Sequence, residues 1–204
     1  MHDKKTVRIL FLALTALMIS SLQGCFPIIA AGMGTGALSI ADRRSTGAQL
    51  DDASIEVKTS NRFKEQFGTA QYRVDVVSFN RRVLIVGQAA TEEIKNKLTE
   101  LATTVPNVSG VTNEVAVGIT DQRAGDALIT SNVKTRFLTN NENRFSPNNI
   151  KVVTENNTVY LLGLVTQAEG EAAAEIARTS KGVQRVVKVF EYIDNAPAVG
   201  TAAK

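Results

Sequence analysis

Two small α+β units in tandem, each running helix, strand, strand, helix, strand, are what this sequence predicts. Three observations lead there. The chain repeats itself at an offset of 76: Val76 falls on Val152, Asn80 on Asn156, Val83 on Val159 and Gly87 on Gly163. Each copy holds two apolar runs parted by a polar pair, Asn80-Arg81 or Asn156-Asn157. Asparagine tolerates the positive φ that a two-residue hairpin wants. Finally, apolar residues recur every fourth position ahead of these runs. Ile129, Val133 and Phe137 make one helical stripe, and Ile55, Thr59 and Phe63 make its counterpart.

The repeats set the boundaries. The first unit spans 51–120 and the second 121–193, followed by a tail, 194–204, of Ala, Pro and Gly that reads as disordered. Register drifts between them. Asn107-Val108 with Val111 faces Gly182-Val183 with Val186 at an offset of 75, and Val57-Lys58-Thr59 with Arg62-Phe63 echoes Val133 to Phe137. The second helix of each unit is expected to open at Thr91-Glu92-Glu93 and near Gln167-Ala168-Glu169. A Thr cap and first-turn acids suit a helix N-terminus. Ile94, Leu98, Leu101 and Ala102 supply one packing face; Ala172, Ala173, Ile176 and Ala177 supply the other. Val111 to Ile119 and Val186 to Ile193 read as closing strands. Val159 to Leu162 is almost wholly apolar, so it is placed mid-sheet. Units of about 70 residues have modest cores, so the two are expected to pack on each other or on a partner.

The chain opens differently. Lys4, Lys5 and Arg8 precede an apolar run from Ile9 to Leu22. At about 14 residues the run is short of the roughly 20 that span a bilayer, and the layout is that of a secretory signal over 1–24. Leu22-Gln23-Gly24-Cys25 resembles the bacterial lipobox, although Gln23 stands where small residues are commoner. That resemblance implies cleavage before Cys25, a diacylglyceryl group on its sulfur and an acyl chain on its new amine. Phe26, rather than an aspartate, implies sorting to the outer membrane, facing the periplasm. Residues 25–50 are read as the lipidated cysteine and a flexible tether. Gly32, Gly34 and Gly36 oppose a stable helix there. The alternative is a segment lying partly in the lipid surface.

Composition narrows the function. The net charge of +3 includes +2 from Asp3, Lys4, Lys5 and Arg8, so the part after the signal is near +1. No broad field for nucleic acid is expected. The single His, His2, lies in the signal, and the single Cys is Cys25. The commonest general base, thiol chemistry and usual zinc ligands are therefore missing from the mature part. Asp51-Asp52 and Glu92-Glu93 are paired acids at expected helix starts, where capping accounts for them. Asn140-Asn141-Glu142-Asn143 lacks the alternating acids of a calcium loop. No enzyme activity, metal or cofactor is expected, apart from the acyl chains on Cys25.

The apolar strand ends at Val83-Leu84-x-Val86-Gly87-Gln88 and Leu162-Gly163-Leu164-Val165-Thr166, with Gly182-Val183-x-x-Val186, resemble the BON domain. Two such domains behind a lipobox, with the linker Asp42-x-Arg44-Ser45-x-Gly47-x-Gln49-x-Asp51-Asp52, resemble the dual-BON outer-membrane lipoproteins. Asn107 stands where that domain usually has Gly. The resemblance implies a non-catalytic protein that binds anionic phospholipid through the first helix of its second domain, residues 125–138. It also implies a role in envelope integrity, with curved or dividing membrane as the place. The matching candidates are Leu128, Ser131, Asn132, Lys134, Thr135 and Arg136. At 100° per residue Leu128 falls off the Ile129/Val133/Phe137 stripe. It could meet lipid or pack on the first domain. Lys134 and Arg136, like the cluster Arg178, Lys181, Arg185 and Lys188, could bind headgroups or be a solvated face. The other reading of the whole is an adaptor for outer-membrane assembly proteins, through exposed sheet edges.

Overall fold

The computed structural model describes residues 42–68, 70–119, 125–140 and 144–194. The expected signal, Cys25, the tether up to residue 41 and the tail from 195 lie outside the described residues. Residues Ser39–Lys204 form one compact unit, which holds every element and core described below.

Each repeat follows the expected order. The first comprises α1 (Thr46–Phe67), β1 (Tyr72–Phe79), β2 (Arg82–Ala89), α2 (Glu92–Thr103) and β3 (Gly110–Val117). The second comprises α3 (Asp126–Asn140), a 3-10 turn (Pro147–Asn149), β4 (Ile150–Glu155), β5 (Thr158–Val165), α4 (Gln167–Arg178) and β6 (Arg185–Tyr192). In each sheet the second strand is central, antiparallel to the first and parallel to the third. Parallel pairing needs a crossover, and α2 and α4 supply it.

Local chemistry explains the elements. Asn80 and Arg81 have φ of 51° and 65°, and Asn156 and Asn157 of 47° and 59°, so both hairpins turn on two left-handed residues. Asn107 takes φ 70° in place of a glycine. Thr91 caps α2 by accepting from the Ile94 N–H, and Thr166 with Glu169 forms a full capping box on α4. Gly87 and Gly163 allow the outer strand to come close. A Cβ at Gly87 would lie 2.2 Å from the Arg73 carbonyl, and one at Gly163 2.6 Å from that of Asn149.

The central strands carry two cores each. In β2, Val83, Ile85 and Ala89 face α1 and α2, where Ile55, Phe63, Ile94 and Leu98 meet them. In β5, Val159, Leu161 and Val165 face α3 and α4. The alternate residues, Leu84 and Val86 with Tyr160 and Leu162, join Phe79 in a third cluster between the two sheets. The repeats therefore stack sheet to sheet with their helices outside. This is why β2 and β5 are apolar throughout rather than alternating.

Three departures from the sequence reading have clear causes. Helix α1 begins at Thr46, capped by Ser45, so the last five residues of the segment read as tether, 46–50, are helical. Asp51 and Asp52 consequently lie inside α1 and do not cap it. The Asp52 carboxylate instead accepts from Ser78 Oγ (2.7 Å), Asn80 N (2.9 Å) and Arg81 N (2.7 Å), holding the hairpin turn. Asp126 does the same for Asn156 N (2.8 Å) and Asn157 N (3.0 Å). Lastly, Val57-Lys58-Thr59 is not the counterpart of Val133-Lys134-Thr135. Val57 is 61% exposed and Val133 is 0% exposed. The packed equivalents are Ile55 with Ile129, Thr59 with Val133 and Phe63 with Phe137, an offset of 74.

Thr59 thus occupies a core position that the second repeat fills with valine. Its Oγ1 is buried and has no hydrogen-bond partner among the described residues. A buried hydroxyl left unpaired costs about 1–3 kcal/mol. Thr59→Val should stabilise the protein by roughly 1 kcal/mol in urea unfolding; a loss of stability would contradict this account of the site.

Candidate functional site

Helix α3 buries Ile129, Val133 and Phe137 against the second sheet, so its opposite side is open. Leu128 is 66% exposed and Leu138 is 72% exposed. Ser131 and Thr135 are exposed and continue the line between them at helical spacing. The two leucines stand roughly 15 Å apart along the axis. Lys134 is exposed one turn before Leu138 and makes no ion pair among the described residues. Asn132 is half-buried.

Arg136 does not join this face. Its NH1 donates to the Ile176 carbonyl (2.7 Å) and Ser180 Oγ (2.8 Å), at the C-terminal end of α4. Arg62 does the same for α2, donating to the Leu101 carbonyl and Thr104 Oγ1. A cation at a helix C-terminus meets unpaired carbonyls and the negative end of the dipole. The arginine is shared by both repeats for that structural reason.

The other basic cluster is largely neutralised. Arg178 pairs with Glu175 (2.8 Å), Lys188 with Glu171 (2.7 Å) and Arg185 with Glu114 (3.6 Å). Lys134, by contrast, has no ion pair among the described residues and stands beside exposed leucines on its own helix. The first repeat lacks the pattern at the equivalent positions, and its exposed Leu50 and Val57 lie elsewhere on α1. At the offset of 74, Ser54 and Lys64 stand where the second repeat has Leu128 and Leu138.

Sequence reasoning passed over one feature, the anchoring of the segment before α1. The Arg43 guanidinium forms a two-pronged pair with Glu169, at 2.7 and 2.8 Å, and donates to the Leu164 carbonyl at 3.1 Å. Its backbone N–H donates to Asn149 Oδ1 at 3.3 Å. Arg44 turns the other way. It pairs with Asp42 (2.8 Å) and Asp52 (2.9 Å) and lies 4.1 Å over the Phe79 ring. Adjacent arginines thus fasten this segment to both repeats. The signal in the sequence is only the pair Arg43-Arg44, since their partners lie far along the chain.

The BON domain profile matches residues 51–119 and 125–194. The chain belongs to the BON-domain family. Its two BON domains are the two repeats described above. It is 38% identical over 177 residues to a Haemophilus influenzae protein named outer membrane lipoprotein DolP, covering 85% of this chain and 91% of that one. It is 35% identical over 156 residues to the 21 kDa hemolysin of Actinobacillus pleuropneumoniae, covering 74% of this chain and 79% of that one. The chain is accordingly a dual-BON outer-membrane lipoprotein. The C-terminal domain of CdsD, from the Type III secretion system of Chlamydia trachomatis, is similar over 70% of this chain and 67% of its own. Its 13% identity and TM-score of 0.27 are too low to bear on function.

The Arg43–Glu169 clasp has a pH signature. Burial alone would raise the Glu169 carboxyl, but the Arg43 guanidinium and the Thr166 N–H outweigh it and hold it below its usual range. A depressed carboxyl contributes stability fully above its unfolded value, about 4.3, and loses it as pH falls through the lower folded value. At neutral pH, Arg43→Ala should destabilise the protein by about 2 kcal/mol. Thermal melts of variant and wild type should draw together well below pH 4.3; a gap unchanged by acid would contradict the assignment.

Proposed function

We propose that this lipoprotein is a non-catalytic lipid-binding module of the cell envelope. Acyl chains on Cys25 hold it to the outer membrane, facing the periplasm. Helix α3 of the second BON domain engages anionic phospholipid and so supports envelope integrity, including at dividing membrane. The observation that carries this reading is the pairing of exposed Leu128 and Leu138 around unpaired Lys134 on one helix face. Leucines can enter the headgroup boundary while the ammonium stays with phosphates. Burying a leucine contributes about 1.5–3 kcal/mol, and a lysine near an anionic surface about 1 kcal/mol. That makes a weak site by itself. Tethering raises its effective concentration enough for it to matter. Two or three acyl chains on one residue make the anchor itself durable.

Vesicle flotation of residues 39–204 tests the reading. Binding should require phosphatidylglycerol and fall at least about tenfold with Leu128→Glu, as the loss of one leucine contact of about 1.5–3 kcal/mol implies. Equal binding to neutral and anionic vesicles would remove the lipid specificity. A defined protein crosslink at an outer strand, with no response to lipid, would favour the adaptor reading instead.

A further inference from the structure

A cleft of about 390 Å³ lies where the two repeats meet. Its walls come from both. The first repeat and the segment before it supply Arg44 and Phe79; the second supplies Lys134 and Leu138 from α3, and Ile150 and Lys151 from β4. Among the described residues, three side chains in the walls are cationic and none is a carboxylate. The remaining lining is largely apolar.

Each cation is held differently. Arg44 is fixed over Phe79 and braced by Asp42 and Asp52. Lys151 Nζ is held by Glu56 at 2.8 Å and approaches the Ser78 carbonyl at 3.4 Å, so its position also depends on the first repeat. Lys134 makes no ion pair among the described residues and can swing to a ligand. Its net attraction for an anion is therefore local and moderate. The apolar wall must share the work, which selects an anion that carries its own apolar part. The volume suits a headgroup and the first carbons of its chains.

We propose that this cleft seats the phosphate-bearing head of one anionic phospholipid, making the first BON domain part of the lipid site. The idea rests on the reading of α3 as the membrane face, since Lys134 and Leu138 belong to both surfaces. The phosphate lies beside Lys134, with Arg44 and Lys151, already paired with Asp42, Asp52 and Glu56, adding a weaker attraction from the walls, and the glycerol and upper chain carbons lie along Leu138 and Ile150. The segment leading back to Cys25 leaves the described residues at Asp42, which pairs with Arg44 on the cleft wall. The chain from the anchor thus arrives at the mouth of the cleft. Surface contact through Leu128 and single-lipid capture in the cleft are separable.

The test is an amide-shift NMR titration of residues 39–204 with monomeric short-chain phosphatidylglycerol. Short-chain phosphatidylcholine and glycerol 3-phosphate serve as comparisons. Saturable shifts are expected together at Phe79, at 134–138 and at 150–152. Lys151→Gln should weaken binding about fivefold, and Asn148→Glu, an exposed change on the rim, by about tenfold. Leu128→Glu should lower vesicle binding by a larger factor than it lowers binding of the monomer. Shifts confined to α3, or unchanged affinity in both cleft variants, would overturn the proposal. Equal binding of glycerol 3-phosphate would assign the cleft to a free phosphate, and equal binding of phosphatidylcholine would remove its charge selectivity; either defeats it. If wild type ignores anionic vesicles yet the monomer shifts Phe79 and 150–152, the surface reading fails and the cleft stands.

Discussion

Strands β2 and β5 must bury both of their faces, and much of this molecule follows from that. Helices cover one face of each three-stranded sheet. The other face presents Leu84 and Val86, or Tyr160 and Leu162, and water is a poor partner for either set. Placing the sheets together buries these residues with Phe79 at once. Full burial of such side chains contributes about 1.5–3 kcal/mol each, as an upper estimate. That is large beside the net stability of an ordinary domain, about 5–15 kcal/mol. A lone repeat of some 70 residues has a modest core and would expose half of its central strand.

Once the sheets are stacked, polar contacts can refine the junction. Arg43 reaches Glu169, Lys151 reaches Glu56, and Asn80 donates to Glu191 at 3.0 Å. None of these would form between freely tumbling repeats. They also decide where the proposed lipid-contacting surfaces fall. The open face of α3 and the cleft beside it lie at the rim of the junction, next to the segment that leads toward Cys25. Recognition by shallow, weakly charged surfaces fits the proposed anchoring through Cys25, which would not depend on them.

Much of this was legible in the residues alone, and the exceptions are instructive. The hairpins, the helical stripes and the mid-sheet strand were readable because each rests on local chemistry: Asn80 at positive φ, Ile129 and Val133 one turn apart, Val159 to Leu162 without a polar residue. Leu128 was readable as off the packed stripe, but whether it met the first repeat depended on docking, which no local pattern encodes. Asp52 was misread because a carboxylate near a helix start and one gripping a distant turn look alike in sequence. The string Val57-Lys58-Thr59 misled in the opposite way. Its letters match Val133 to Thr135, but packing places Thr59, not Val57, opposite Val133. Arg136 was legible as a cation and not as a helix brace, because its acceptors at Ile176 and Ser180 lie 40 and 44 residues away. The clasp of Arg43 spans 126 residues and was invisible for the same reason.

Two sheets that share one apolar seam should unfold as one cooperative body. Urea unfolding of residues 39–204, followed by amide signals resolved in β2 and β5 separately, addresses it most directly. The account expects one transition with the same midpoint for both strands, and a Leu162→Ala change that lowers both together. Two separated midpoints, or a Leu162→Ala effect confined to the second repeat, would contradict it.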